Sequence, residues 1–329
     1  MNDLDFLRKI TEISSSSGEE KEVCSFLAEQ FSSLGYKVET DNLGNLIAKN
    51  YDDGECDILF DAHIDSIGFI VTEILDGGFL KVSPVGGLDE RALQSQPVLI
   101  KGKRDIFGVV SSVPPHLSDN KKLPAAKDLF IDVGLSKSED VSLGDRVYFY
   151  SPLSHLKNNR ITASALDNKI SAFTLYKTAK EIRKTDRKIA FLFSTREEVS
   201  GKGAAAAAFS LCPKKAVVVD VSFGYLPGAQ KRECGLIEGG PLIGFSPVLS
   251  SSLSKKAVEV AKKLSIPYGE EVMGSRTGTN ADEISISGKG VPTVTVSIPI
   301  FNMHTPVETA SLIDVDNTAK LLVGLISED

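Results

Sequence analysis

Cysteine and histidine are scarce in this chain of 329 residues, with four of each. Cys24, Cys56, Cys212 and Cys234 stand far apart, which excludes a Cys-x-x-Cys zinc site and a dense disulfide framework. Thiols used this sparingly fit a reducing, cytoplasmic setting. There is no block of basic residues and the formal net charge is −7, so nucleic acid is not an expected partner. No apolar run is long enough to cross a bilayer, which argues against a membrane partner. The acidic, amphipathic start, Met1 to Lys9, does not read as a signal peptide. What is present, 42% hydrophobic and 25% charged residues, is ordinary globular composition. The length allows one large α/β domain or two domains.

The chain is organised around residues 194–201, Ser-Thr-Arg-Glu-Glu-Val-Ser-Gly. They follow an apolar run, 188–193, that reads as a buried strand, and precede an Ala-rich helix over 202–211. Glu197 and Glu198 therefore sit at a strand's C-terminal end, where open α/β sheets place their ligands. Neighbouring side chains on such a turn diverge, so one can bind a metal while the other faces a substrate. Before this point, Leu4, Leu7, Ile10 and Ile13 mark one helix, and Val23 to Leu34 give the buried face of a second. The serine run 14–17 is expected to cap that second helix, with Glu19, Glu20 and Glu22 in its first turn. Strands are expected over 36–40, 46–49 and 57–62.

From about residue 66 to 160 the pattern changes to short β-type runs separated by Gly, Pro and Asp, with no helix-period segment. This is the signature of a small barrel or sandwich inserted into an α/β body. The expected organisation is thus a discontinuous α/β unit, 1–65 with 161–329, and a β-rich insert, 66–160. His116 and His155 fall in loops of the insert. Afterwards the α/β pattern resumes, with a long helix from about Leu166, a strand 216–220 ending in Asp220, a helix over 252–264, a strand 293–298 and a closing helix over 314–325. The Gly-rich loop 274–282 lacks the Lys-Ser/Thr ending of a P-loop and the spacing of a dinucleotide turn.

Several residues with metal-ligand chemistry fall at strand ends or helix starts of this one pattern. His63 and Asp65 alternate on an extended chain, so both can face one side. A metal-binding imidazole needs its ring fixed by a neighbouring acceptor, for which Asp65 is placed. Asp167 reads alternatively as a helix-capping carboxylate. Taken together, His63, Asp167, Glu198, Asp220 and His304 offer two imidazoles and three carboxylates, a set that suits zinc or cobalt. Asp167 can bridge two ions, which leaves Glu197 unligated and able to take a proton from the bridging water. A glycosidase reading of the Glu pair is poor, because carboxylates that flank a sugar are not neighbours on one turn.

The chain resembles, over nearly its whole length, the M42-type metallo-aminopeptidases, which include glutamyl and leucyl aminopeptidases and self-compartmentalising tetrahedral peptidases. The resemblance rests on Ala62-His63-Ile64-Asp65-Ser66-Ile67-Gly68-Phe69, Ala165-Leu166-Asp167-Asn168, Glu197-Glu198-Val199, Val219-Asp220-Val221 and Met303-His304-Thr305-Pro306-Val307-Glu308. It implies a mixed-sheet α/β/α zinc-peptidase fold with an inserted barrel-like dimerisation domain. It implies two divalent ions per subunit, one held by His63, Asp167 and Asp220, the other by Asp167, Glu198 and His304. Glu197 would be the general base and Asp65 would orient His63. The implied partners are short peptides and other copies of the chain, as a dimer or a tetrahedral dodecamer. The sequence departs from the family at Ser66, usually Glu, and at Ser200, commonly Gly. It also departs at Phe301-Asn302, often Arg-Tyr, and at Asn280, frequently Asp. Two alternatives stay open at this stage. One is a related deacylase or carboxypeptidase, although these usually carry the extra domain after the Glu pair. The other is an assembly protein without useful turnover, against which intact Glu197 argues.

Overall fold

The structure, a computed structural model, describes residues 2–117, 124–134, 139–182 and 185–327. Among these, eleven strands form one mixed sheet. Its centre consists of four adjacent parallel strands, Ile189–Ser194, Ile58–His63, Ala216–Phe223 and Thr293–Phe301. Residues 189–193 and 216–219 of these strands are continuous apolar runs, as burial on both faces requires. Phe191 and Phe193 point into one core while Ala190 and Leu192 point into the other. The first core is packed by helices Asp3–Glu12, Lys21–Ser33, Leu166–Glu181, Ser251–Lys263 and Leu312–Ser327. The second lies under helix Lys202–Leu211 and the short helix Ala281–Ile284. The expected α/β/α layering is the observed one.

Register fixes where the site can be. Ser194 lies opposite His63, and Val218 lies opposite Asp61, so Ser194, His63 and Asp220 stand at one level of the sheet. The Glu197–Glu198 turn follows Ser194 directly. Two expectations need correction here. Asp220 does not end its strand, because Val221 to Phe223 continue the pairing with Ile298 to Ile300. The serine run does not cap the second helix. That helix starts after Glu20, with no side-chain cap, and only Glu22 of the three glutamates lies in its first turn.

A closed barrel interrupts the sheet. Strands Gly68–Leu75, Phe79–Val85, Phe130–Asp132, Asp105–Ser111, Pro97–Lys101 and Arg146–Phe149 pair in that order around the ring. It has its own core, built on Phe69, Leu80, Ile100, Ile131 and Val147. The two-residue strand Ser154–His155 already belongs to the large sheet, where it pairs with Arg160–Ala163. No helix among the described residues is long and apolar enough to cross a membrane.

Candidate active site

His63 is the last residue of its strand and is buried. The segment that follows it is held by the serine run. Ser15 Oγ donates to the Ile64 carbonyl at 2.7 Å, Ser66 N donates to the Ser15 carbonyl at 2.8 Å, and Ser17 Oγ donates to Asp65 Oδ2 at 2.6 Å. These contacts use the side chains that would otherwise cap the helix. The Asp65 carboxylate in turn accepts the Glu197 amide at 3.0 Å and the Glu198 amide at 3.2 Å, one on each oxygen. It therefore fixes the whole Glu–Glu turn. For His63, the nearest acceptor of Nδ1 is the Asp65 carbonyl at 3.1 Å, with the carboxylate at 3.5 Å.

Asp167 turns its side chain away from a helix cap, one oxygen toward each of two imidazoles. Its backbone is non-helical (φ −74°, ψ 107°), two residues after Ala165, whose φ of 57° is left-handed. The Asp167 amide donates to Glu308 Oε2 at 2.9 Å. The other oxygen of Glu308 accepts the His304 amide, also at 2.9 Å. One buried glutamate thus sets the spacing of Asp167 and His304. It also helps hold His304 at φ 61°, a conformation that ordinary residues avoid. Asn168 Nδ2 donates to the Val219 carbonyl at 3.0 Å and ties this turn to the Asp220 strand.

The result is two groups around one carboxylate. Asp167 Oδ1 lies 3.2 Å from His63 Nε2, which lies 3.7 Å from Asp220 Oδ1. Asp167 Oδ2 lies 3.3 Å from His304 Nε2, which lies 3.8 Å from Glu198 Oε2. Two atoms that share a tetrahedral zinc at about 2.0–2.2 Å from it are about 3.3–3.6 Å apart. These spacings suit shared coordination, and His63, Asp167 and Glu198 also group as a possible ion site.

Electrostatics favour a cation here. Burial pushes Glu198 well above the usual carboxylate range, and the Asp167 charge adds to it. Asp220 is likewise raised by burial, with His63 opposing and Asp167 adding. Asp167 is lowered, because hydrogen bonds from His304 and His63 outweigh its burial. Both imidazoles are raised: His63 in spite of its burial, by Asp167 and Asp65, and His304 chiefly by Asp167. Buried carboxylates outnumber imidazoles, an imbalance that a divalent ion relieves.

A family model described as M42 glutamyl aminopeptidase matches residues 44–321. The chain belongs to the M42 family. It is 32% identical, over all of this chain and 98% of the relative, to the lysyl aminopeptidase of Pyrococcus furiosus. Among solved structures it is similar to aminopeptidase APDkam598 of Desulfurococcus kamchatkensis, with a TM-score of 0.94. The identity is 31%, and 99% of this chain and 95% of that one are covered. It is also similar to the TET1 peptidase of Pyrococcus horikoshii, which can assemble into a tetrahedron or a large octahedral shell. There the TM-score is 0.86, the identity 30%, and 99% of each chain is covered. The M42 chain described here is an aminopeptidase, a hydrolase of peptides. The deacylase, carboxypeptidase and non-enzymatic alternatives are set aside.

Within this M42 site, the six residues expected at the metals and the base converge, with Asp65 beneath them. His116 and His155 are exposed elsewhere. Of the departures from the family, Ser66 is buried and donates to the Ser15 carbonyl at 3.2 Å. Asn280 is buried under the His63 strand and donates to Asp61 Oδ2 at 3.0 Å and Ser194 Oγ at 2.8 Å. Burial pushes Asp61 up to about 6. Phe301 closes its strand beneath the Arg160 guanidinium, whose centre lies 5.9 Å from the ring. Sequence reasoning missed Glu308, Ser17 and Asp61. The His304-x-x-x-Glu308 spacing next to a Pro-containing turn was the available signal for the first.

Proposed function

We propose that this aminopeptidase removes N-terminal residues from short peptides with two divalent ions, zinc or cobalt. His63, Asp167 and Asp220 would hold one, and Asp167, Glu198 and His304 the other. The observation that carries this reading is the division of the Asp167 carboxylate, one oxygen toward each imidazole. Such ions polarise the scissile carbonyl and acidify water. Glu197 accepts the proton that the attacking water loses as its oxygen bonds to the carbonyl carbon. It returns that proton to the amine nitrogen as the C–N bond breaks. Burial pushes Glu197 up to about 7, with His63 opposing and the Asp65 and Asp167 charges adding. Asp65 and Ser17 keep the turn fixed, and Glu308 keeps Asp167 and His304 in register.

Action at free N-termini is the feature to test. N-acetylation of a good peptide substrate is expected to block its hydrolysis, read by chromatography of the products. Equal cleavage of free and acetylated peptides would instead indicate an endopeptidase.

The proposal extends to assembly. Residues 1–65 and 161–329 form the catalytic unit, which the strand Ser154–His155 joins, and the barrel of the insert serves pairing between copies. Phe107 and Val109 lie exposed on the outer face of barrel strand Asp105–Ser111, with Tyr150 edge-on to Phe107 at 4.9 Å. Apolar groups displayed together in this way favour a partner surface, and two-fold pairing is the commonest outcome. A tetrahedral dodecamer is the larger form, supported by the shells of the Pyrococcus horikoshii relative. Light scattering at micromolar concentration is expected to give a dimer or larger; a monomer would remove this part of the proposal.

A further inference from the structure

The barrel reaches the site itself. Between barrel strand Phe79–Val85 and the turn at Glu90–Ala92, the chain passes through Gly86 and Gly87 against the His304 side of the site. A Cβ on Gly87 would sit 3.3 Å from His304 Nδ1 and 3.7 Å from Cε1. A Cβ on Gly86 would sit 3.1 Å from Glu198 Oε2, 3.2 Å from Glu198 Cβ and 2.9 Å from Ile67 Cγ2. Two residues on, the Asp89 amide donates to the His304 carbonyl at 3.2 Å. The backbone of the insert is therefore the wall against which Glu198 and His304 rest. A Cβ at 86 would force a shift, and one at 87 would need the His304 ring to give by a few tenths of an ångström. The Asp220 side of the site has a different support, since Asp220 and His63 lie on adjacent strands of the large sheet.

We infer that the Gly86–Gly87 turn of the insert is a positioning element for the Glu198–His304 half of the site, so that the insert completes one ion position. This rests on the two-ion reading above. The physical reason is tolerance: ligand side chains need their geometry held to about 0.5 Å, and packing against a rigid neighbour supplies that. A Cβ at 87 pushes the His304 ring and one at 86 pushes Glu198 and Ile67, and the atoms nearest to each belong to neither His63 nor Asp220.

The test is a cobalt titration of metal-free, full-length protein, followed by visible absorption and competition with a chelator. Wild type is expected to take two ions. Gly87→Val is expected to bind one with wild-type affinity and the other about 10–100-fold more weakly, the range for loss of outer support. Gly87→Ala is expected to show the same change in smaller degree. Its backbone lies outside the left-handed region, so folding is not at issue there. Gly77→Ala is the control. Gly77 has φ 76° at the far end of the same strand, and a Cβ there would meet only the Phe79 ring, at 3.6 Å. It should bind both ions as wild type does. Two ions at wild-type affinity in both Gly87 variants, or an equal loss in Gly77→Ala, overturns the inference. Fewer than two ions in wild type overturns the two-ion reading itself, and the inference with it.

Discussion

Glu197→Gln is expected to keep its metal content and lose about 10²–10⁴-fold in kcat, the usual contribution of a positioned general base. The amide fills the same space, and the Asp65 carboxylate grips the backbone of the turn, not the side chain at 197. The turn should therefore keep its place, with Glu198 still facing His304 at 3.8 Å. Only the ability to take a proton is lost. Metal analysis of the purified variant, alongside steady-state kinetics on an aminoacyl-nitroanilide, separates the two effects. A metal-poor Glu197→Gln with a fully loaded Glu198→Gln would mean that the roles of the pair are exchanged.

Asp167→Ala is expected to weaken both ion positions at once, whereas His304→Ala should weaken one. Each Asp167 oxygen faces a different imidazole, at 3.2 and 3.3 Å, so one substitution removes a ligand from each group. The loss per ion should exceed the about 10–100-fold that follows removal of an outer support, because a direct ligand is gone. The apo protein should also change. His63 and His304 both owe their raised proton affinity in large part to Asp167. In the variant both rings should titrate at lower pH, which NMR of the imidazole protons can follow. Retention of one ion at wild-type affinity in Asp167→Ala would show that the carboxylate does not bridge.

The features legible in the sequence share a physical origin. Parallel strands buried on both faces are written as unbroken apolar runs, so 188–193 and 216–219 announce themselves, and a site at their ends follows from topology. The barrel strands are equally plain because Gly, Pro and Asp punctuate them. Less legible were contacts made across long sequence separations. Ser17 reaches Asp65 across 48 residues, and Glu308 reaches Asp167 across 141. No local pattern encodes either pairing. The serine run misled for that reason: as local chemistry it is a cap, but the fold spends it on Ile64 and Asp65. Asp167 kept two local readings, cap and ligand, because nothing near it in sequence shows that its oxygens will face His63 and His304. Gly86 and Gly87 read only as a separator between strands, because nothing local shows that Glu198 and His304 will press against them.

The most direct measurement is metal content against activity in the wild-type enzyme. Protein stripped with a chelator, verified as metal-free by elemental analysis, is titrated with zinc or cobalt while peptide hydrolysis is followed. The two-ion account predicts no activity at the start, a rise with added metal, and a plateau as content reaches two ions per chain. Full activity in the verified metal-free protein would contradict it.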